Sequence, residues 1–352
     1  MSDVFALSRP RANTYVRRWY LSLINRAPGV WRSTYGWLDR SPRAGRMIAL
    51  LGRERRLLGS LLARVQPEVV CSTYPLYAFM LERLARETRG QLPPHSNVVT
   101  DSISINSLWW RVPCAAWYVP NLDSADVLRE AGIESSRIRP LGFPVHPAFA
   151  TPTTELPPPV PARGHRPRVL YILNSRTAAA VETARVLLRQ EAWDVTCTVG
   201  RNETLRAELD VLAQRRRHPA RVLGWTREIP QLLMSHHVVI SKAGGATTQE
   251  AIAARCPMIV NQIIPGQEEG NYEFLRRHDI GDLAETPAVV VRSLQHAFAN
   301  DAAVWRKWRQ ALTLVSRPAA AQEIVRELLT RGQPRPADAP GVAAAFDEGG
   351  AG

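Results

Sequence analysis

The chain has 352 residues, 45% hydrophobic and 22% charged. That is the composition of a globular protein of about two domains, and it excludes wholesale disorder and collagen-like or coiled-coil architectures. The formal charge is +13, and every cation but Lys242 and Lys307 is an arginine. No apolar run reaches the ~18 residues of a membrane-spanning helix, and the N-terminus lacks the apolar core of a secretory signal. Cys71, Cys114, Cys197 and Cys256 are too scattered for a disulfide frame or a zinc site, and read as small buried hydrophobes in a reducing cytosol.

Residues 1–60 hold twelve arginines against Asp3, Asp39 and Glu54. Their pattern is helical, with Tyr15, Trp19, Tyr20, Trp31, Tyr35 and Trp37 among the cations. Such a segment suits an anionic membrane surface, with Trp109 and Trp110 adding to it. Packing of the aromatics under the first domain, and arginine as a generic solvated cation, are the alternatives. Strands follow at 68–72, 97–100 and 116–119, separated by helical patterns near 76–89 and 123–131, the latter stopped by Gly132. Nine prolines between Pro140 and Pro167 then permit neither helix nor central strand. The predicted division is a membrane-facing domain at 1–150, a Pro-rich linker at 151–166 and a second domain at 167–331. The tail at 332–352 has too little large apolar surface to order itself.

The second half repeats the pattern, with strands at 168–173, 194–200, 220–225, 237–241 and 257–261 and helices between them. Short, continuously apolar strands alternating with helices predict an α/β fold of two doubly wound, Rossmann-like domains. Their strands' carboxyl ends would face an intervening cleft. The first domain lacks an opening strand and loop, because residues 1–65 offer only helical pattern.

Residues 236–271, HHVVISKAGGATTQEAIAARCPMIVNQIIPGQEEGN, read as strand, glycine turn, helix, strand, polar loop and helix. Gly244 and Gly245 let the backbone turn, and Thr247 and Thr248 sit where the helix begins, a place whose free amides and dipole attract phosphate. Glu250 is placed to accept hydrogen bonds from a ribose diol, and Gln267, Glu268 and Asn271 to read sugar hydroxyls. A tight packing turn is the alternative reading of the same residues. Neither G-x-x-x-x-G-K-[ST] nor G-x-G-x-x-G after a strand occurs, which disfavours P-loop and dinucleotide chemistry. No nucleic-acid-binding signature is present.

The block SKAGGATTQEAIAARCPMIVNQIIPGQEEGN resembles the donor-binding signature of the glycosyltransferases grouped with monogalactosyldiacylglycerol synthase, the processive diacylglycerol glucosyltransferases and, more distantly, the transferase that forms lipid II. VVTDSISINSLWWR (98–111) and WYVPNLDSADVLREAGIESSRIRPLGFPVHPAF (117–149) are similar to that family's N-terminal domain. The likeness covers roughly residues 10–330.

The resemblance implies a GT-B fold with a C-terminal helix crossing back to the first domain. It also implies a UDP-hexose donor, a lipid acceptor such as diacylglycerol, and inverting, metal-independent transfer on the inner face of the cell membrane. By position, Gly224 and Trp225 would face the base, and Gly244, Gly245, Thr247 and Lys242 would lie by the diphosphate. Glu250 would hold the ribose, and Gln267, Glu268 and Asn271 the hexose. The chain departs from the family in three places. The family's first strand and its Gly-rich, His-bearing loop are absent, Asn106 stands where a histidine is common, and 174–180 is NSRTAAA where the family is glycine-rich. Asp101 is the remaining candidate base, or else a capping or core carboxylate. Without the first loop, a nucleotide-sugar-binding protein that does not turn over is the alternative function.

Overall fold

The computed structural model describes residues 4–8, 15, 28–41, 51–90, 92–151, 155–173, 177–218, 220–266 and 268–332. The expected tail, from 333 onward, lies outside them. The first half contains α1 (Val4–Ser8), α2 (Pro28–Arg40), α3 (Gly52–Val65), β1 (Val70–Ser72), α4 (Leu76–Glu87), β2 (His95–Val98), β3 (Ala116–Tyr118), α5 (Leu122–Glu130) and β4 (Ile138–Arg139). Its sheet is parallel with order β1-β2-β3-β4. No strand precedes Val70 among the described residues.

The second half runs β5 (Arg168–Ile172), α6 (Ala178–Arg189), β6 (Asp194–Thr198), α7 (Glu203–Gln214), β7 (Ala220–Leu223), α8 (Ile229–Ser235), β8 (Val238–Lys242), α9 (Gly245–Ala253), β9 (Met258–Gln262), α10 (Glu269–Arg277) and β10 (Gly281–Leu283). Two helical elements follow: α11 (Pro287–Val315), interrupted by left-handed backbone at Asn300, Asp301 and Ala302, and α12 (Ala320–Gly332). The parallel sheet has order β10-β9-β8-β5-β6-β7. Its continuous apolar strands bury both faces. In β5, Val169 and Tyr171 enter one core and Leu170 and Ile172 the other, as the two-residue period of a strand requires.

The sequence reading misses two strands. β4 is two residues long and β10 begins at a glycine, so neither offers an apolar run to detect. Gly281 has φ +103°, and a side chain there would stand 1.8 Å from the Met258 carbonyl oxygen. Two further expectations are corrected. Cys71 is exposed on edge strand β1, not buried. Trp109 is a core residue beside Trp117, not part of a membrane-facing surface, because its ring closes the core under β2 and β3. Tyr15 and Trp37 are exposed. Trp19 and Tyr20 and the side chains of Trp31 and Tyr35 lie outside the described residues.

The C-terminal helix does cross back. Ile324 and Leu328 of α12 bury themselves against Val98, Ala116 and Tyr118 of the first sheet, a burial of about 1.5–3 kcal/mol per side chain. Arg139 of β4 donates to Glu327 at 2.8 Å. At the base of the helix the chain comes so close to Gly142 (φ +110°) that a Cβ there would lie 2.7 Å from those of Arg317 and Ala320.

Candidate active site in the cleft

The carboxyl ends of β2 and β8 meet across the cleft. After β8 the chain turns through Gly244, the N-cap of α9, which no side chain caps, so the first-turn amides of that helix have no partner within it. A Cβ on Gly245 would stand 3.4 Å from the carbonyl oxygen of Thr100, at the end of β2. One on Gly270, in α10, would stand only 2.0 Å from that of Ser102. Asp101, between those two contacts, is thereby set opposite the start of α9.

The loop bearing Asp101 is held tightly. Ile103 has φ +56°, a left-handed conformation that is an outlier for a β-branched residue, and Ser104 N–H closes a turn onto the Ser102 carbonyl at 2.6 Å. The Ile103 side chain packs on the core of the second half. Asn121 donates to Ser102 Oγ at 2.9 Å. Trp109 Nε1 donates to Asp101 Oδ2 at 2.8 Å, and its carbonyl accepts from Asn97 Nδ2 at 3.1 Å and Trp117 Nε1 at 2.9 Å. Burial pushes the Asp101 carboxyl above the usual carboxylate range, and the Trp109 hydrogen bond pulls it part of the way back. Asn106 is buried and caps the short 3-10 turn at Ser107–Trp109 by accepting from Leu108 N–H at 3.1 Å. Its role is structural, as an amide without a titratable proton allows.

On the second half, Lys242 is ion-paired with the buried Glu268, whose other oxygen accepts from Ile264 N–H at 3.0 Å. Asn271 donates to the Ala243 carbonyl at 2.9 Å, while its Oδ1 is buried with no partner. Thr248 Oγ1 and Gln249 Nε2 are likewise buried and unpartnered; the sequence reading places Thr248 at the helix start without giving it a contact, and passes over Gln249, since nothing in its spacing separates it from helix interior. Thr247 and Glu250 are half-buried, and desolvation raises the Glu250 carboxyl. Gly244, Gly245, Glu268 and Asn271 are thus brought together around Lys242, and Thr247 and Glu250 follow in α9. Gln267, with residues 174–176 of the opening loop, lies outside the described residues.

Gly224 and Trp225 stand apart, beyond β7, on a cavity of about 440 Å³ that Arg201, Glu203, Arg206 and Glu228 also line. A Cβ at Gly224 would meet the Gly200 carbonyl at 3.4 Å. Trp225 is 59% exposed with the Arg227 guanidinium 5.6 Å from its ring centre. Apart from that guanidinium the indole is largely open to solvent. Among the described residues no group of three or more His, Cys, Asp or Glu could hold a metal ion, and no helix is long and apolar enough to cross a membrane.

Side chains also bridge the two halves. Asp123 of α5 meets Arg277 at 3.3 Å and His278 Nε2 at 3.2 Å, both at the end of α10.

Residues 1–145 match the family model described as monogalactosyldiacylglycerol (MGDG) synthase. The chain is 26% identical over 343 residues to the chloroplastic monogalactosyldiacylglycerol synthase of Spinacia oleracea, covering 93% of this chain and 65% of that protein. It is 24% identical over 308 residues to the processive diacylglycerol beta-glucosyltransferase of Bacillus subtilis (strain 168), covering 86% and 79%. The chain therefore spans a little under two thirds of the plant relative's length. Among solved structures, Acinetobacter baumannii MurG superposes with a TM-score of 0.54 at 13% identity, over 79% of this chain and 78% of that one. The glycosyltransferase SnogD of Streptomyces nogalater does so with 0.51 at 18%, over 85% and 84%. With its two parallel sheets and returning C-terminal helix the chain has the GT-B fold, and its sequence is similar to those of the monogalactosyldiacylglycerol synthases and the processive diacylglycerol glucosyltransferases.

Proposed function

We propose that this chain is a hexosyltransferase that moves a sugar from a UDP-hexose to the hydroxyl of a lipid such as diacylglycerol. The observation that carries the reading is the juxtaposition of an uncapped helix start, at Gly244 and Gly245, with the half-buried carboxylate of Asp101 across the cleft. Residues 1–150 take the acceptor and residues 167–331 the donor.

The acceptor oxygen attacks the anomeric carbon, the bond from that carbon to the diphosphate breaks, and the configuration inverts. Asp101 receives the hydroxyl proton, a role favoured by a carboxylate of raised pKa. Charge gathering on the departing UDP is met by the α9 amides and by Lys242. No metal is required in this scheme, and the sequence contains no Asp-x-Asp pair. Glu250 holds the ribose. Gln267, Glu268 and Asn271 read the hexose, and Trp225 with Gly224 receives the base. Exposed Trp37 on the arginine-rich N-terminal segment supports docking on an anionic leaflet, peripheral to the inner face of the cell membrane.

The test is incubation of the full-length chain with a panel of UDP-sugars and membrane lipids, with mass analysis of the lipid products. A hexose added to a lipid hydroxyl is the expected result. UDP binding with no product across the panel supports instead the reading of a nucleotide-sugar-binding protein without turnover, and failure to bind UDP removes both.

A further inference from the structure

A second basic site lies at the opposite pole of the second half from the cleft. A groove of about 480 Å³ opens between the segment entering β5 (Glu155, Leu156, Pro157, Pro158), the turn after α9 (Arg255) and the second part of α11 (Trp305, Arg306, Arg309). All three walls stand at the amino ends of the strands: Trp305 Nε1 donates to the carbonyl of His237, which immediately precedes β8, at 2.7 Å. The length of β8, five residues, puts the groove roughly 15 Å from the cleft at about 3.3 Å per residue.

The groove gathers three guanidinia against one carboxylate. Among the described residues Arg255, Arg306 and Arg309 form no ion pair, and Glu155, the single acidic residue on the walls, lies close enough to Arg309 to favour its charge. Arg309 is held in place, its guanidinium 5.5 Å from the centre of the Trp305 ring and donating to the Arg255 carbonyl. Arg306 Nε donates to the Asp301 carbonyl at 3.0 Å, leaving its other donors unspent.

Arg255 is the most informative residue. It follows the last turn of α9 with φ +53°, and its N–H bonds the Ile252 carbonyl while that of Cys256 reaches back to Ala251. This is the left-handed closing position of a helix, where glycine is the unstrained choice. An arginine there is strained, and among the described residues it gains no carboxylate partner in return. Beside the three guanidinia, Leu156 and the two prolines supply an apolar wall.

We propose that this groove binds a phosphate ester with an apolar portion: the phosphate held by Arg255, Arg306 and Arg309 in the charge-assisted geometry that guanidinium favours, the apolar part lying along 156–158. The site is separate from the donor cleft and does not depend on the function assigned to it.

The experiment titrates inorganic phosphate into the full chain by calorimetry, comparing wild type with Arg255→Gly, Arg306→Gln and, as the cleft control, Lys242→Gln. Each groove substitution weakens phosphate binding about tenfold or more, the worth of a hydrogen bond to a charged group. Lys242→Gln leaves the groove's binding unchanged. Arg255→Gly also raises the Tm, because glycine relieves the backbone there, so lost binding is not lost folding. Phosphatidylcholine vesicles with and without phosphatidylglycerol identify the source. Displacement of phosphate only by the charged vesicles assigns a lipid headgroup, and retention of phosphate against both assigns a soluble phosphate ester. The proposal is overturned if wild type takes up no phosphate, if the groove variants bind as wild type does, or if Lys242→Gln alone abolishes binding.

Discussion

Gly270→Ala tests how closely the two halves are matched. Its added methyl would meet the Ser102 carbonyl oxygen at 2.0 Å, Ser104 N at 2.5 Å and Ser104 Cβ at 2.9 Å. Two of the three are backbone atoms of a loop already strained at Ile103, so no side chain can swing aside. Overpacking of this kind costs about 1–3 kcal/mol. At roughly 2–4 °C per kcal/mol, that predicts a Tm lower by about 2–12 °C. The halves must part by about 1 Å to relieve the contact, and misplacing reacting groups by that distance costs on the order of 100-fold in turnover. Gly244→Ala is the matched control. Its nearest contacts, at 3.2 and 3.6 Å, are the flexible ends of the Lys242 and Glu268 side chains, and its φ of −70° suits alanine, so its Tm should stay near wild type. Differential scanning calorimetry and glycosyl transfer to lipid, measured on both variants, check the pair. If Gly270→Ala melts and turns over like wild type, the close contact described between the halves is wrong.

Three further outcomes follow from the site. Asp101→Asn should abolish transfer while raising the Tm at neutral pH. Folding raises this carboxyl's pKa, so its unfavourable contribution appears as pH rises through the folded value and is absent below about 4, the ordinary carboxyl pKa; melting curves of the two proteins should separate above that pKa and converge below it. Glu250→Ala should remove UDP binding with the fold intact, and unchanged affinity by calorimetry would reject the ribose contact. Lys242→Met strands the buried Glu268 carboxylate and should cost about 1–3 kcal/mol, less than a fully buried pair because the lysine is partly exposed. The double substitution with Glu268→Gln should recover most of that in urea denaturation, and a simple sum of the two losses would deny the coupling.

The sequence made the second sheet legible because its strands are buried on both faces and so appear as unbroken apolar runs. The turn from Ser241 to Gly245 was equally plain, since paired glycines between a strand and a helix have few other uses. What escaped was whatever depends on contact between distant segments. Gly270 carries no side chain to announce that the loop of Ser102 and Ser104, far earlier in the chain, presses on it. Lys242 and Glu268 looked like independent ligands because their pairing is a tertiary fact. Asn106, read against the family as a missing histidine, has its own purpose as a helix cap. The groove at Arg255 left no motif, since its walls come from three separate stretches of chain.

The strained turn at Ile103 has a wider meaning. Its side chain rests on the other half of the molecule, so the backbone angle that aims Asp101 is underwritten by a surface the first half does not own. Drawing the halves apart would let that turn relax and swing the carboxylate off line. Under the proposed mechanism, opening the molecule and disarming it are then the same movement, which would guard against idle hydrolysis whenever the two substrates are not both enclosed.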